Sequence, residues 1–204
     1  METPSAPTIR VAQRVRRTAS EGPGERYALW VQGCSIRCAG CCNPDMFTTA
    51  GGTVLSVAEL AQEIEETRDI EGITFLGGEP FEQAGPLAML AERARVLGLS
   101  VMTFTGNVLE DLTARAEPDH LALLAETDLL ADGPFVASRP GSRYRWLGSE
   151  NQRLLPLTSR YRADDPRFFE ANTVDIRIAK GSIEISGWAP AAIQIGSKPA
   201  RNAK

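Results

Sequence analysis

The 204 residues carry a net charge of −4, with 43% hydrophobic and 24% charged side chains; that length and mix suit one domain with a real core, alone or with a small appendage. Duplex-binding proteins carry a basic surplus, so no nucleic-acid partner is expected. No apolar run approaches the roughly 20 residues that span a bilayer, and the polar start, Met1–Thr8, has no apolar signal segment, so the expectation is a soluble cytoplasmic protein.

Ile9, Val11 and Val15 follow the largely alternating pattern of a short strand. Gly22-Pro23-Gly24 signals a loop, and Arg26–Gln32 reads as a buried strand. That strand runs directly into a segment from Gly33 to Pro44 too rich in Gly, Cys and Pro for regular structure. A helix follows, with Ser56 and Glu59 as a capping-box pattern and Val57, Leu60, Ala61 and Ile64 as its apolar face. Ile73–Leu76 is a second buried strand, ending in Gly77-Gly78-Glu79-Pro80. Pro86 can begin the next helix, Leu87, Leu90, Ala94 and Leu97 mark its buried side, and Gly98 can stop it. Ser100–Phe104 is a third strand ending at Thr105-Gly106, residues 109–124 are helical with a break near Pro118, and Asp128–Ala131 is a fourth strand before Asp132-Gly133-Pro134. Alternation resumes at Thr173 and continues to Ser186 around Lys180-Gly181, a β-hairpin pattern. The basic tail, 195–204, reads as frayed.

Strands alternating with helices predict a parallel sheet with helices outside. Ligands in such folds sit at the carboxyl ends of the strands. The cysteine loop, Gly77–Pro80, Thr105-Gly106 and Asp132-Gly133 would all fall at that edge.

All four cysteines, Cys34, Cys38, Cys41 and Cys42, fall within nine residues. A disulfide framework spreads its cysteines to close loops, so this cluster favours a metal. Thiolates are soft donors that suit zinc or iron–sulfur clusters. Structural zinc normally takes four ligands, often from two separated pairs; no second pair exists, and the only histidine, His120, is distant in sequence. A [4Fe-4S] cube usually takes four thiolates, and three would leave one iron open to a ligand. The reading is a cluster on Cys34, Cys38 and Cys41, with zinc and plain thiols as rivals.

These features resemble the radical S-adenosylmethionine (radical SAM) superfamily. The match is closer to its glycyl-radical-enzyme activating proteins, the type acting on anaerobic ribonucleotide reductases. The resemblance rests on Cys34-x3-Cys38-x2-Cys41 after the buried strand and Gly77-Gly78-Glu79-Pro80 after the next. Gly22-Pro23-Gly24 with Arg26, Trp30–Cys34, Asn43-Pro44, Thr105-Gly106, Asp132–Phe135 and Gly148-Ser149-x-Asn151-Gln152-Arg153 support it. It covers about residues 20 to 155 and implies an α/β fold, a partial, open βα barrel with a C-terminal β-hairpin extension. Residues 1–155 would form the cluster-bearing core domain, 156–194 the extension and 195–204 a flexible tail.

The resemblance also implies roles. Cys34, Cys38 and Cys41 would hold the [4Fe-4S] cluster, whose fourth iron takes the amino and carboxylate groups of S-adenosylmethionine. Gly77, Gly78, Glu79 and Pro80 would meet the methionine amino group: glycines let carbonyls approach, and a carboxylate favours an ammonium. The backbone of Gly40, Cys41 and Cys42 would meet the adenine, and Thr105 and Asp132 would line the pocket. The implied partners are a glycyl-radical enzyme and an electron donor of flavodoxin or ferredoxin type. Two features depart from the pattern: Cys42 stands where such proteins usually carry His, and some 50 residues follow where they end. A small-molecule or peptide substrate, or a non-enzymatic metal module, are the alternatives. His120 reads as part of a helix start, Trp30, Trp146 and Trp188 as packing residues, and the Arg14–Arg17 cluster and Glu63–Glu66 as solvated faces.

Overall fold

The computed structural model describes residues 6–179 and 182–187; Lys180-Gly181, Trp188 and the tail lie outside them. In chain order the strands and helices are β1 (Thr8–Thr18), β2 (Arg26–Val31), β3 (Thr53–Ser56), α1 (Val57–Glu66), β4 (Gly72–Gly77), α2 (Ala84–Val96), β5 (Ser100–Phe104), α3 (Leu109–Arg115), α4 (Pro118–Glu126), β6 (Leu129–Asp132), β7 (Arg153–Pro156), β8 (Val174–Ala179) and β9 (Ser182–Gly187). Seven strands form one sheet in the order β3-β1-β2-β4-β5-β6-β7, and β8 and β9 form a separate antiparallel pair.

The sheet is mixed, which refines the expectation of a parallel sheet. Its centre, β2-β4-β5-β6, is parallel, but β1 runs antiparallel to β2 and β3, and β7 runs antiparallel to β6. Only residues 19–25 separate β1 from β2. A parallel return needs a crossover of a dozen or more residues, so this short loop forces a hairpin. The sheet is open, with β3 and β7 at its edges; strand pairing gives an open mixed sheet, and no closed barrel.

Alternation divides each central strand between two faces. Tyr27, Leu29 and Val31 of β2 and Ile73 and Phe75 of β4 join Val57, Leu60 and Ile64 of α1, Leu87 and Leu90 of α2, Leu112 of α3 and Leu123 of α4 in the main core. All four helices therefore cover one face. α1 starts at the expected capping box: Ser56 Oγ accepts from Glu59 N at 3.1 Å, and Glu59 Oε2 accepts from Ser56 N at 2.7 Å. α2 begins at Ala84, two residues before Pro86. Proline is tolerated there because the first-turn N–H groups have no intrahelical partner to lose. Ala116, in the left-handed region at φ 50°, ends α3, and Pro118 opens α4.

Ala28, Trp30 and Leu76 point to the other face. There Met102, Leu129 and Ala131 pack with Trp146, Leu147, Leu154, Tyr161 and Phe168 in a second core. Residues beyond 155 thus complete the fold. Arg26 is fully buried beneath them. Its guanidinium donates to Thr74 Oγ1 at 2.6 Å, to Ser100 Oγ at 2.9 Å and to the carbonyl of Pro23 at 3.0 Å. Tyr161 Oη donates to Glu71 Oε1 at 2.8 Å and lies 2.7 Å from Ser100 Oγ, so the extension closes over this polar knot. Arg14 and Arg16 pair with Glu63. Among the described residues no helix is long and apolar enough to cross a membrane.

Candidate metal centre and cofactor cavity

The face without helices holds a cavity of about 450 Å³. Cys34, Cys38, Cys41 and Cys42 line it together with Gly77-Gly78-Glu79 at the end of β4, Thr105-Gly106 after β5 and Gly133 after β6. The structure thus brings four separate sequence segments to one wall, at the carboxyl ends of the parallel strands.

Backbone bonds explain why these segments meet. β2 delivers Gly33, whose N–H reaches Met46 O at 3.0 Å, and Cys34, whose N–H reaches Phe47 O at 3.3 Å. The cysteine loop is then sewn to the glycine turn: Gly78 N donates to Val31 O and Glu79 N to Gly33 O, both at 2.8 Å. A Cβ on Gly78 would lie 2.2 Å from Gly33 O, and one on Gly77, at φ 103°, would lie 2.7 Å from Trp30 Cα. The two glycines are required by backbone meeting backbone.

Glu79 is 2% exposed. Its Oε1 accepts from Phe81 N at 3.0 Å and Thr105 Oγ1 at 2.9 Å, and its Oε2 from Gly106 N at 2.9 Å. Burial pushes its carboxyl up to about 7, against these three donors. The side chain clamps the end of β4 to the end of β5. Thr105 spends its hydroxyl on the same clamp and accepts from Asn107 N at 3.0 Å. Pro80 begins the short turn after this clamp and is itself buried. Neither Pro80 nor Gly40 reaches the lining; a Cβ on Gly40 would sit 3.2 Å from Ala137 Cβ.

Asp132 is placed differently from the expectation. It is fully buried and does not line the cavity. Its carboxylate pairs with Arg153 and accepts from Leu109 N at 2.9 Å, at the start of α3. Gln152 holds the neighbouring stretch, accepting from Gly148 N at 2.9 Å and Ser149 N at 3.1 Å and donating to Gly133 O at 3.2 Å. The Gly148–Arg153 segment is therefore a brace for Asp132-Gly133.

The thiols carry a donor environment suited to thiolate ligands. The backbone N–H groups of Arg37 and Ile36 favour the Cys34 thiolate against burial, and Asn43 N donates to Cys41 Sγ at 3.4 Å. Arg37 adopts φ 52°, the left-handed turn that bends this loop. Hydrogen bonds to sulfur stabilise and tune iron–sulfur sites. Burial pushes the Cys34 thiol up against its two N–H donors. It also pushes Cys42 up to about 11, with Cys41 adding to the effect. Among the described residues no three His, Cys, Asp or Glu side chains gather as a single ion requires. Cys34, Cys38 and Cys41 share the lining of one cavity. Cys34, Cys38 and Cys41 fit a cluster by donor type, surroundings and common cavity.

Part of the cavity's lining carried almost no signal in the sequence. Glu21 and Ser20 line the cavity with Trp146, and so do Ile185, Ser186 and Gly187 of β9. Glu21 accepts from Gly187 N, and burial pushes its carboxyl up to about 7. The only local signal was Gly22-Pro23-Gly24 beside Glu21; nothing in the hairpin's alternation pointed to a cavity. Trp30 and Trp146 are buried packing residues that also border the cavity. His120 lies within α4, 3.0 Å from Phe81 O, away from the site.

Residues 20–155 match the family model described as a 4Fe-4S single cluster domain. The anaerobic ribonucleoside-triphosphate reductase-activating protein of Enterobacteria phage T4 is 32% identical over 145 residues, which cover 67% of this chain and 87% of the phage protein. The protein of that name from Vibrio cholerae is 30% identical over 145 residues, 67% of this chain and 91% of its own. That from Escherichia coli K12 is 30% identical over 139 residues, 64% of this chain and 88% of its own. The chain belongs to the 4Fe-4S single cluster domain family and is a homologue of the anaerobic ribonucleoside-triphosphate reductase-activating proteins.

Proposed function

We propose that this protein is a radical SAM activating enzyme that installs a glycyl radical on a partner of the anaerobic ribonucleotide reductase type. The observation that carries the reading is the meeting of three thiols and the Gly77–Glu79 turn in one cavity of about 450 Å³, in a chain homologous to reductase-activating proteins. Cys34, Cys38 and Cys41 would hold three irons. When bound, the cluster supplies the electron that splits S-adenosylmethionine into methionine and a 5′-deoxyadenosyl radical, which takes a hydrogen atom from a glycine of the partner. The electron would come from a flavodoxin or ferredoxin.

The chain's own groups position the reactants. The Gly77-Gly78 turn, pinned to Gly33 and Val31, sets the cysteine loop beside the place a sulfonium ligand would occupy. Glu79 clamps that turn to Thr105-Gly106 with all three of its bonds internal, so the contact to a substrate ammonium falls to the turn's backbone. The backbone of Cys41 and Cys42 would meet the adenine, with Gly40 letting the loop bend at φ 78°. Trp30, Leu76 and Phe104 supply apolar wall, which keeps water from the reacting centre.

Anaerobically reconstituted protein should be brown and should release 5′-deoxyadenosine when reduced with S-adenosylmethionine. Cys38→Ala should lose the chromophore and Cys42→Ala should keep it. A colourless zinc protein, or an intact cluster that releases no 5′-deoxyadenosine, overturns the reading.

A further inference from the structure

The extension beyond the family domain is built into the cavity. The match to the family ends at residue 155, yet Ile185, Ser186 and Gly187 line the same space as the cysteines. The hairpin is tied down on its polar face. Thr18 Oγ1 donates to Asp175 Oδ2, Ala19 N donates to Asp175 Oδ2 at 3.1 Å, and Thr18 Oγ1 lies 3.2 Å from Ser186 Oγ. Glu21 accepts from Gly187 N. The base is fixed from the other side, where Arg145 Nη2 donates to Thr173 Oγ1 at 2.7 Å and Trp146 N to Asn172 Oδ1 at 2.6 Å.

These ties use the polar groups that β9 turns towards the cavity. Ser186 is occupied by Thr18 and the Gly187 N–H by Glu21, and among the described residues Ile185, 41% exposed, is the apolar side chain that β9 gives to the lining. Trp30, Leu76, Phe104 and Trp146 continue it. No Lys, Arg or His lines the cavity among the described residues, whereas two carboxyls, Glu21 and Glu79, do. Among the described residues an anionic reactant such as a nucleotide or an acidic metabolite finds no countercharge there. The volume, about 450 Å³, is that of a cleft for a single small ligand. With S-adenosylmethionine inside, a second reactant has to reach in from outside as a narrow protruding segment.

We propose that β9 is a selectivity wall, in which Ile185 admits an uncharged polypeptide segment centred on glycine and turns away acidic ones. This deepens the preceding reading and rests on it. Such a segment brings little side-chain bulk to the reacting carbon, and its apolar neighbours meet Ile185 without desolvating a charge.

The test uses the reconstituted, reduced full-length enzyme with S-adenosylmethionine and two synthetic peptides, Ala-Val-Gly-Val-Ala and Ala-Asp-Gly-Asp-Ala, each doubly deuterated at the glycine α-carbon. Deuterium in the released 5′-deoxyadenosine reports hydrogen abstraction from that carbon. Wild-type enzyme should favour the valine peptide by about tenfold or more. Ile185→Lys should shrink or reverse that preference. Ile176→Lys should retain it: Ile176 pairs with Ile185 across the hairpin and is 51% exposed, but lies outside the lining. An Ile185→Lys enzyme with unchanged preference, or a wild-type enzyme that takes both peptides equally, overturns the wall. A wild-type enzyme that forms no 5′-deoxyadenosine at all overturns the radical reading beneath it.

Discussion

At residue scale the critical position is Gly78. Its hydrogen is the only substituent that fits beneath Gly33 O, since a Cβ would stand 2.2 Å from that oxygen and 2.9 Å from Val31 O. Both neighbours are backbone and cannot rotate away. Gly78→Ala should therefore push the turn off the cysteine loop while leaving the helix-covered core in place. Iron bound per chain should fall severalfold after reconstitution, with the far-ultraviolet circular dichroism of the metal-free protein unchanged; undiminished iron would refute this account of the double glycine. The double glycine was visible in the sequence, but its cause was not. Gly33 and Gly78 are brought together only by the β2–β4 pairing, which no local pattern encodes. Asp132 teaches the same lesson. A carboxylate after a strand reads as a site group, yet Arg153 and Leu109 N consume it.

At the scale of elements, strongly patterned segments were legible and short ones were not. The capping box of α1, the strand β5 and the alternating hairpin followed from periodicity and end signals. The edge strands β3 and β7, four residues each, are too short for a period to show and are defined by their partners. The stretch after β7 had no pattern at all, yet it matters most for the second core. Phe168, fully buried from the short turn Pro166–Phe169, packs against Trp146 at a centroid distance of 6.0 Å and Tyr161 at 6.1 Å. Phe168→Ala should cost about 3–5 kcal/mol, read as a fall in the urea midpoint. A loss below about 1 kcal/mol would mean that the extension is an appendage after all.

At the scale of the whole molecule, the described residues place two buried carboxyls on the cavity, and their sign of pH dependence can be worked out. Burial raises both Glu21 and Glu79 from 4.5 to about 7. Below pH 4.5 each is neutral folded or unfolded. Between 4.5 and about 7 the unfolded chain gives up its protons while the folded chain keeps them, so stability declines across this window and levels above it. Each group accounts for up to about 3 kcal/mol of that decline. Glu21→Gln keeps an oxygen for Gly187 N and removes one group's share. Its urea midpoint should fall less steeply than that of wild type from about pH 5.5 to about pH 7. Parallel profiles would show that Glu21 is not held neutral by the fold.

The two faces of the sheet have different fates. α1, α2, α3 and α4 all occupy one of them, and the cavity opens on the other. The molecule therefore has a back and a front, and reactants have access to only one hemisphere. Val96, 84% exposed on α2, belongs to the back. A tether placed there, to a resin bead or an electrode, would anchor the protein with its reactive side turned to the solution.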